Sequence, residues 1–181
     1  MNSTTADYQA ASIPLSLLLH GVGAEQWDNP SPCEQWTVAD VVSHLIHTQR
    51  DFLIRNDIGL SDPPPGVDPA TTWRLHSASV LDAVADDAVA SAGFDGGFGP
   101  STIGETLVQF YVWDMIAHRW DIARGTGLEA ELTSTEIDRL ERGISGFGDA
   151  LYMDGICKPG VPAPADADRM TAVLARLGRH A

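Results

Sequence analysis

Residues 37–56, TVADVVSHLIHTQRDFLIRN, decide how this chain is read. Val38, Val41, Val42, Leu45, Ile46, Phe52 and Leu53 recur at the three- and four-residue spacing of a helix with one buried face. Thr37 stands three residues before Asp40, a carboxylate form of the capping box, in which each side chain satisfies a backbone N–H at the helix start. The stretch is therefore a helix, and it carries His44 in mid-course between Val41 and Leu45.

The same grammar repeats along the chain. Asp68 and Pro69 supply an N-cap and an N1 proline for PATTWRLHSASVLDAVADDAVA, with Trp73, Val80, Leu81 and Val84 as its apolar stripe. Thr102 with Glu105 opens TIGETLVQFYVWDMIAHRWDIAR, which Gly125 and Gly127 stop. Thr133 with Glu136 opens a shorter helix ending near Gly146. An earlier helix is expected over about residues 6–22, where SIPLSLLL spaces its leucines helically despite Pro14. The tail CKPGVPAPADADRMTAVLARLGRHA begins extended at its prolines and finishes in a short amphipathic helix. GLSDPPPGV and SAGFDGGFGPS are too rich in turn formers to be helical and read as loops. GFDGGFG is no phosphate cradle, because it lacks the Lys and Ser/Thr of a P-loop and follows no strand. Almost nothing reads as a strand. The expectation is an all-α bundle of four or five helices, a single domain over residues 1–181, with a short extra helix at its C-terminal end.

Composition narrows the function. With 25 acidic against 11 basic residues the formal net charge is −14, which repels nucleic acid and anionic lipid and favours a small-molecule partner. The two cysteines, Cys33 and Cys157, are far apart and in no CxxC spacing, so neither a disulfide framework nor a thiolate zinc site is indicated. The N-terminal stretch lacks the basic region of a signal peptide, and a soluble, unexported, cytoplasmic protein is expected.

Chemistry concentrates in FYVWDMIAHRW, residues 110–120. Asp114 and His118 are four apart, on one helical face, and Asp114 continues a stripe of Leu107, Phe110, Tyr111, His118 and Ile122. A carboxylate taken out of water needs a partner, since leaving it unpaired costs several kcal/mol. An arginine, a hydroxyl or a divalent cation shared with His118 each meets that need, and buried His and Asp often simply hydrogen-bond. His44 adds a second imidazole, and two histidines with one carboxylate form a three-ligand set with positions left open. His47, one turn further on, has polar flanks that favour the surface. Tyr111 and Trp113 read first as core packing, Arg74 as a solvated helix face, and Arg119 and Arg124 as exposed cations near a helix C-terminus. Cys33 has no basic neighbour in sequence and is expected to pack beside Trp36. Asp121 is either an acceptor for a ligand imidazole or a surface carboxylate.

PSPCEQWTVADVVSHLIHTQRDF, VWDMIAHRWDIARGTG and PADADRMTAVLARLG together resemble the DinB-like metal-binding family that includes the N-terminal domain of mycothiol-dependent maleylpyruvate isomerase. The resemblance implies a four-helix bundle of up-down-down-up topology, with GLSDPPPGVDP as the crossover between parallel helices. It implies a divalent metal at the positions of His44, Asp114 and His118, zinc being the expected occupant and nickel, manganese or iron compatible with the same donors. The isomerase carries a glutamate where this chain has Asp114, and a second C-terminal domain that is not expected here. Maleylpyruvate isomerase activity itself is therefore not expected. The expectation is a metal-dependent enzyme that joins a low-molecular-weight thiol, mycothiol or bacillithiol, to a small electrophile, as a monomer or homodimer. The alternative is a non-catalytic metal-binding or ligand-sensing module.

Overall fold

The computed structural model describes residues 1–97, 99–153 and 156–180. These fall into two compact units, Met1–Glu129 and Ala130–Ala181. The first contains α1 (Ser3–His20), α2 (Val38–Arg55), α3 (Pro69–Val84), the single turn α4 (Asp87–Ala90) and a long last helix. That helix runs from α5 (Ile103–Thr106) through a π-helical stretch (Leu107–Val112) into α6 (Trp113–Thr126). The starts fall where side chains can take up orphaned N–H groups: Thr37 and Asp40, Asp68 with Thr71, and Thr102 with Glu105. Gly127, at φ 71°, closes α6 in the left-handed conformation that glycine tolerates best.

Side-chain bonds fix the helix directions. Asn2 at the head of α1 donates to the Val84 carbonyl (2.9 Å), and Trp73 Nε1 donates to Ser16 Oγ (3.0 Å), so α1 and α3 are antiparallel. Gln26 and Asn29, between α1 and α2, donate to the Thr126 and Gly125 carbonyls (2.6 and 3.0 Å). The end of α6 thus lies beside the end of α1 and the start of α2. With α1 against α3, α3 against α2, α2 against α6 and α6 against α1, the four form a closed up-down-down-up bundle. Since α2 and α3 are parallel, residues 56–68 must return along the bundle. Arg50 holds that crossover by the Ser61 carbonyl (3.0 Å) and the Asp62 carboxylate.

The interior is filled by Leu15, Leu19, Leu45, Leu53, Trp73, Val80, Ile103, Leu107, Met115 and Ile122, all buried. Each such side chain contributes roughly 1.5–3 kcal/mol by leaving water. Pro14 sits inside α1, where it removes the N–H that would bond the Ala10 carbonyl; Ala10 is exposed, so that carbonyl meets solvent.

Three local expectations change. SAGFDGGFGPS is not a plain loop: Gly93–Gly96 (β1) and Gly99–Thr102 (β2) pair as an antiparallel hairpin, with Phe94 opposite Ser101. The Phe94 ring packs on Phe52 of α2, centroids 5.6 Å apart, so a tertiary contact supports what the glycine-rich sequence does not advertise. Phe98, inside the same stretch, lies outside the described residues. The third predicted helix stops at Val84, and Asp86 caps the separate turn α4. The π-helical stretch, finally, widens the helix ahead of Asp114, so that Leu107 and Ile122 are buried while Phe110, Tyr111 and Asp114 are only half-buried.

In the second unit, α7 (Ser134–Phe147) buries Ile137, Leu140 and Ile144, and α8 (Arg169–Arg176) buries Val173, Leu174 and Ala175. Arg169 bridges the two helices to Glu141 and Asp138, an exposed pairing of small energetic weight. No helix among the described residues is long and apolar enough to cross a membrane.

A polar cluster lies within the bundle core. Gln49 Oε1 accepts from Tyr8 Oη (2.7 Å) and from His76 Nε2 (3.1 Å), and all three residues are fully buried. Gln49 Nε2 and His76 Nδ1 have no protein partner. Burial, with the nearby charges of Arg50 and His47, pushes His76 down from 6.5 to about 3, so it is folded as a neutral imidazole. The unfolded chain takes up a proton below 6.5 and the folded chain does not. The contribution of His76 is thus intact above 6.5 and is lost as pH falls from there toward 3, at about 1.4 kcal/mol per pH unit. Urea unfolding at pH 7 and pH 5 should show a larger loss for the wild type than for His76→Gln; equal losses would contradict the neutral, buried assignment.

Candidate metal centre

The capping box at Thr37 starts α2 so that His44 falls on the face turned to α6. There its Nε2 lies 3.2 Å from Asp114 Oδ2. His118, one turn after Asp114, brings its own Nε2 to 3.3 Å from the other oxygen, Oδ1. Two imidazoles from two helices therefore converge on one carboxylate. Ligand atoms of all three residues lie within 4.8 Å of one another. Two donors each about 2.1 Å from a common ion, at angles between square and tetrahedral, are separated by about 3.0–3.4 Å; each His–Asp spacing falls in that range, the two histidines facing different oxygens of Asp114. The donor types suit such an ion as well: two nitrogen atoms and an oxygen fit zinc, nickel, manganese or iron.

The far side of His118 is held too. Its Nδ1 donates to Asp121 Oδ2 at 2.8 Å, which leaves Nε2 directed at Asp114. Asp121 is fully buried, and so takes the orienting role rather than the surface one. Trp36 closes the site laterally, its ring centroid 4.8 Å from that of His44 and 6.3 Å from that of His118. The His44 and Asp114 side chains keep 26% and 22% of their exposure, so the cluster is not sealed from solvent.

Electrostatics favour charge at this place. Burial alone would raise Asp114, but the charge and hydrogen bonds of His118 and His44 hold it well below the usual carboxylate range. Burial would likewise lower His118, yet Asp114 beside it, with bonds to Asp121 and Cys33, holds it well above its ordinary value. Without an ion, the contacts of His118 Nδ1 with Asp121 and of Nε2 with Asp114 favour its imidazolium form. Coordination needs its Nε2 lone pair, so binding a cation displaces that proton.

His47 and Arg74, by contrast, are exposed and stand outside the cluster. Trp113 is buried packing, and Tyr111 stacks on Phe52 (centroids 5.1 Å), its hydroxyl pushed up to about 12, mainly by burial. Two expectations are corrected. Arg119 is buried, 4% exposed, whereas Arg124 is exposed and lies over the Trp120 ring at 5.6 Å. Cys33 does more than pack beside Trp36: its Sγ is 3.3 Å from Asp121 Oδ2 and 3.8 Å from His118 Nδ1. Those partners stand 88 and 85 positions away, beyond any local sequence signal.

Fold and cluster together define an all-α bundle with a two-histidine, one-carboxylate centre. The family model of the mycothiol maleylpyruvate isomerase N-terminal domain matches residues 8–65, and over that segment, which includes His44, the family resemblance is shown. Asp114 and His118 lie beyond the matched segment. The chain is also similar to uncharacterized protein Rv0738 of Mycobacterium tuberculosis (strain ATCC 25618 / H37Rv), 27% identical over 183 residues covering 95% of this chain and 97% of the relative. Uncharacterized protein Rv0036c of the same strain is 24% identical over 179 residues, covering 87% of this chain and 69% of the relative. No solved structure matches the chain.

Because His118 must give up a proton to bind an ion, zinc affinity should rise with pH across the neutral range. Calorimetric titration in buffers of different ionisation enthalpy should show proton release on binding. An affinity independent of pH, with no proton released, would contradict the assignment of His118 as a ligand.

Proposed function

We propose that the protein is a divalent-metal-dependent enzyme that joins a low-molecular-weight thiol of the mycothiol type to a small electrophile, acting in the cytoplasm. The observation that carries this reading is the convergence of both Nε2 atoms on Asp114 in a cluster whose one side remains open to solvent. The thiol is suggested by the matched family, whose description names mycothiol. A divalent ion held by His44, Asp114 and His118 would supply Lewis-acid activation, favouring the thiolate form of a thiol.

The chain's own residues do the rest. His44 and His118 offer neutral nitrogens and Asp114 one negative charge, so the donor set leaves a divalent ion with net positive charge toward the open side. Asp121 keeps the His118 ring from turning. Trp36 shields both imidazoles from one flank, leaving the half-exposed edge of His44 and Asp114 for the approach of the reactants. The formal charge of −14 disfavours polyanionic partners and suits neutral ones.

With zinc-loaded protein, mycothiol and an electrophilic reporter, thiol loss should be saturable, should fall to the uncatalysed background on chelation, and should return when zinc is restored. His44→Ala should abolish both metal retention and turnover. Undiminished turnover in metal-free protein would overturn the proposal.

A further inference from the structure

Between α1 and α2, residues 31–36 are tied together by their own hydrogen bonds. Ser31 N donates to the Trp36 carbonyl (2.9 Å), Trp36 N to the Cys33 carbonyl (3.0 Å), and Cys33 N to Ser31 Oγ (3.2 Å). Gln35 takes a left-handed φ of 67° to close the turn. The piece is seated against the end of α6 at Gly125, where a Cβ would lie 2.7 Å from Val38 Cγ2 and 3.1 Å from the Pro30 carbonyl, too close for any other residue. From this seat the segment delivers two groups: the Trp36 ring against both imidazoles, and the Cys33 thiol against Asp121.

The thiol meets the same oxygen, Asp121 Oδ2, that accepts from His118 Nδ1. A fully buried carboxylate is held in place by the donors around it, and losing one leaves it free to shift or to draw on the rest. Cys33 Sγ lies on the Nδ1 side of His118, with Asp121, whereas Nε2 faces Asp114, so the thiol stands behind the ring relative to the His44–Asp114–His118 cluster. We infer that Cys33 is a positioning residue of the metal centre: its S–H holds the Asp121 carboxylate, and Asp121 in turn sets the His118 imidazole toward Asp114 and His44. The inference rests on the metal reading above and adds a third link behind the ligand.

Cobalt(II), added to metal-free full-length protein, is the probe. Titrated against a competing chelator, Cys33→Ala should bind it about tenfold more weakly than wild type, with an altered visible d–d spectrum, while its ion-free melting temperature stays near that of wild type. Cys33→Ser keeps a donor and should restore wild-type affinity and spectrum. Asp121→Asn should weaken binding by itself, and adding Cys33→Ala to it should produce no further loss, since the thiol acts through the carboxylate. Equal affinity and spectrum in Cys33→Ala, a serine variant as weak as the alanine one, or additive losses in the double variant would each overturn the inference. So would a thiolate-to-cobalt charge-transfer band in wild type, which would make Cys33 a ligand. Wild-type protein that takes up no cobalt at all overturns the metal reading itself, an outcome distinct from the others.

Discussion

The carboxylate of Asp114 is the constraint on which the rest of the site turns. It sits half-buried on α6 with an imidazole nitrogen facing each oxygen, one from its own helix and one from α2. A charge removed from water in this way must be compensated by several kcal/mol of specific interaction, and two histidines provide it. They do so with or without an ion, but the consequences differ. Ion-free, the carboxylates of Asp114 and Asp121 favour the protonated form of His118; a bound ion would take the place of that proton.

The topology explains how distant parts of the chain reach that point. In the up-down-down-up order, α6 returns to pack between α1 and α2, so His44 in the first half of α2 meets Asp114 at the start of α6. The crossover of residues 56–68, pinned by Arg50, permits the parallel α2 and α3 that this order requires. Just before Asp114 runs the π-helical stretch, and Phe110, Tyr111 and Asp114 are half-buried while Leu107 and Ile122 are buried.

What was legible in the sequence was what is local. The capping pairs at Thr37, Thr102 and Thr133, and the Asp68–Pro69 start, mark helix boundaries because their chemistry spans three residues. Asp114 and His118 could be paired for the same reason, since helix geometry puts four-apart residues on one face. His44, 70 positions from Asp114, is marked only as an imidazole inside an apolar stripe and by the family resemblance. The hairpin has no sequence signature, because glycines carry no strand pattern and its support comes from Phe94 on Phe52. The π turn has no compositional mark. Arg119 is a charge near a helix end, for which exposure is the default, and its burial is decided by packing alone. The link from Cys33 to Asp121 exists only because a loop folds back onto α6.

The central claim is that His44, Asp114 and His118 hold one divalent ion. X-ray absorption spectroscopy on zinc-loaded protein, after removal of loosely held ions, tests it most directly. The account predicts about one zinc per chain, a shell of nitrogen and oxygen atoms at about 2.0–2.2 Å, and the outer scattering of two imidazoles. A chain that retains no zinc, or a sulfur shell at about 2.3 Å, would contradict it.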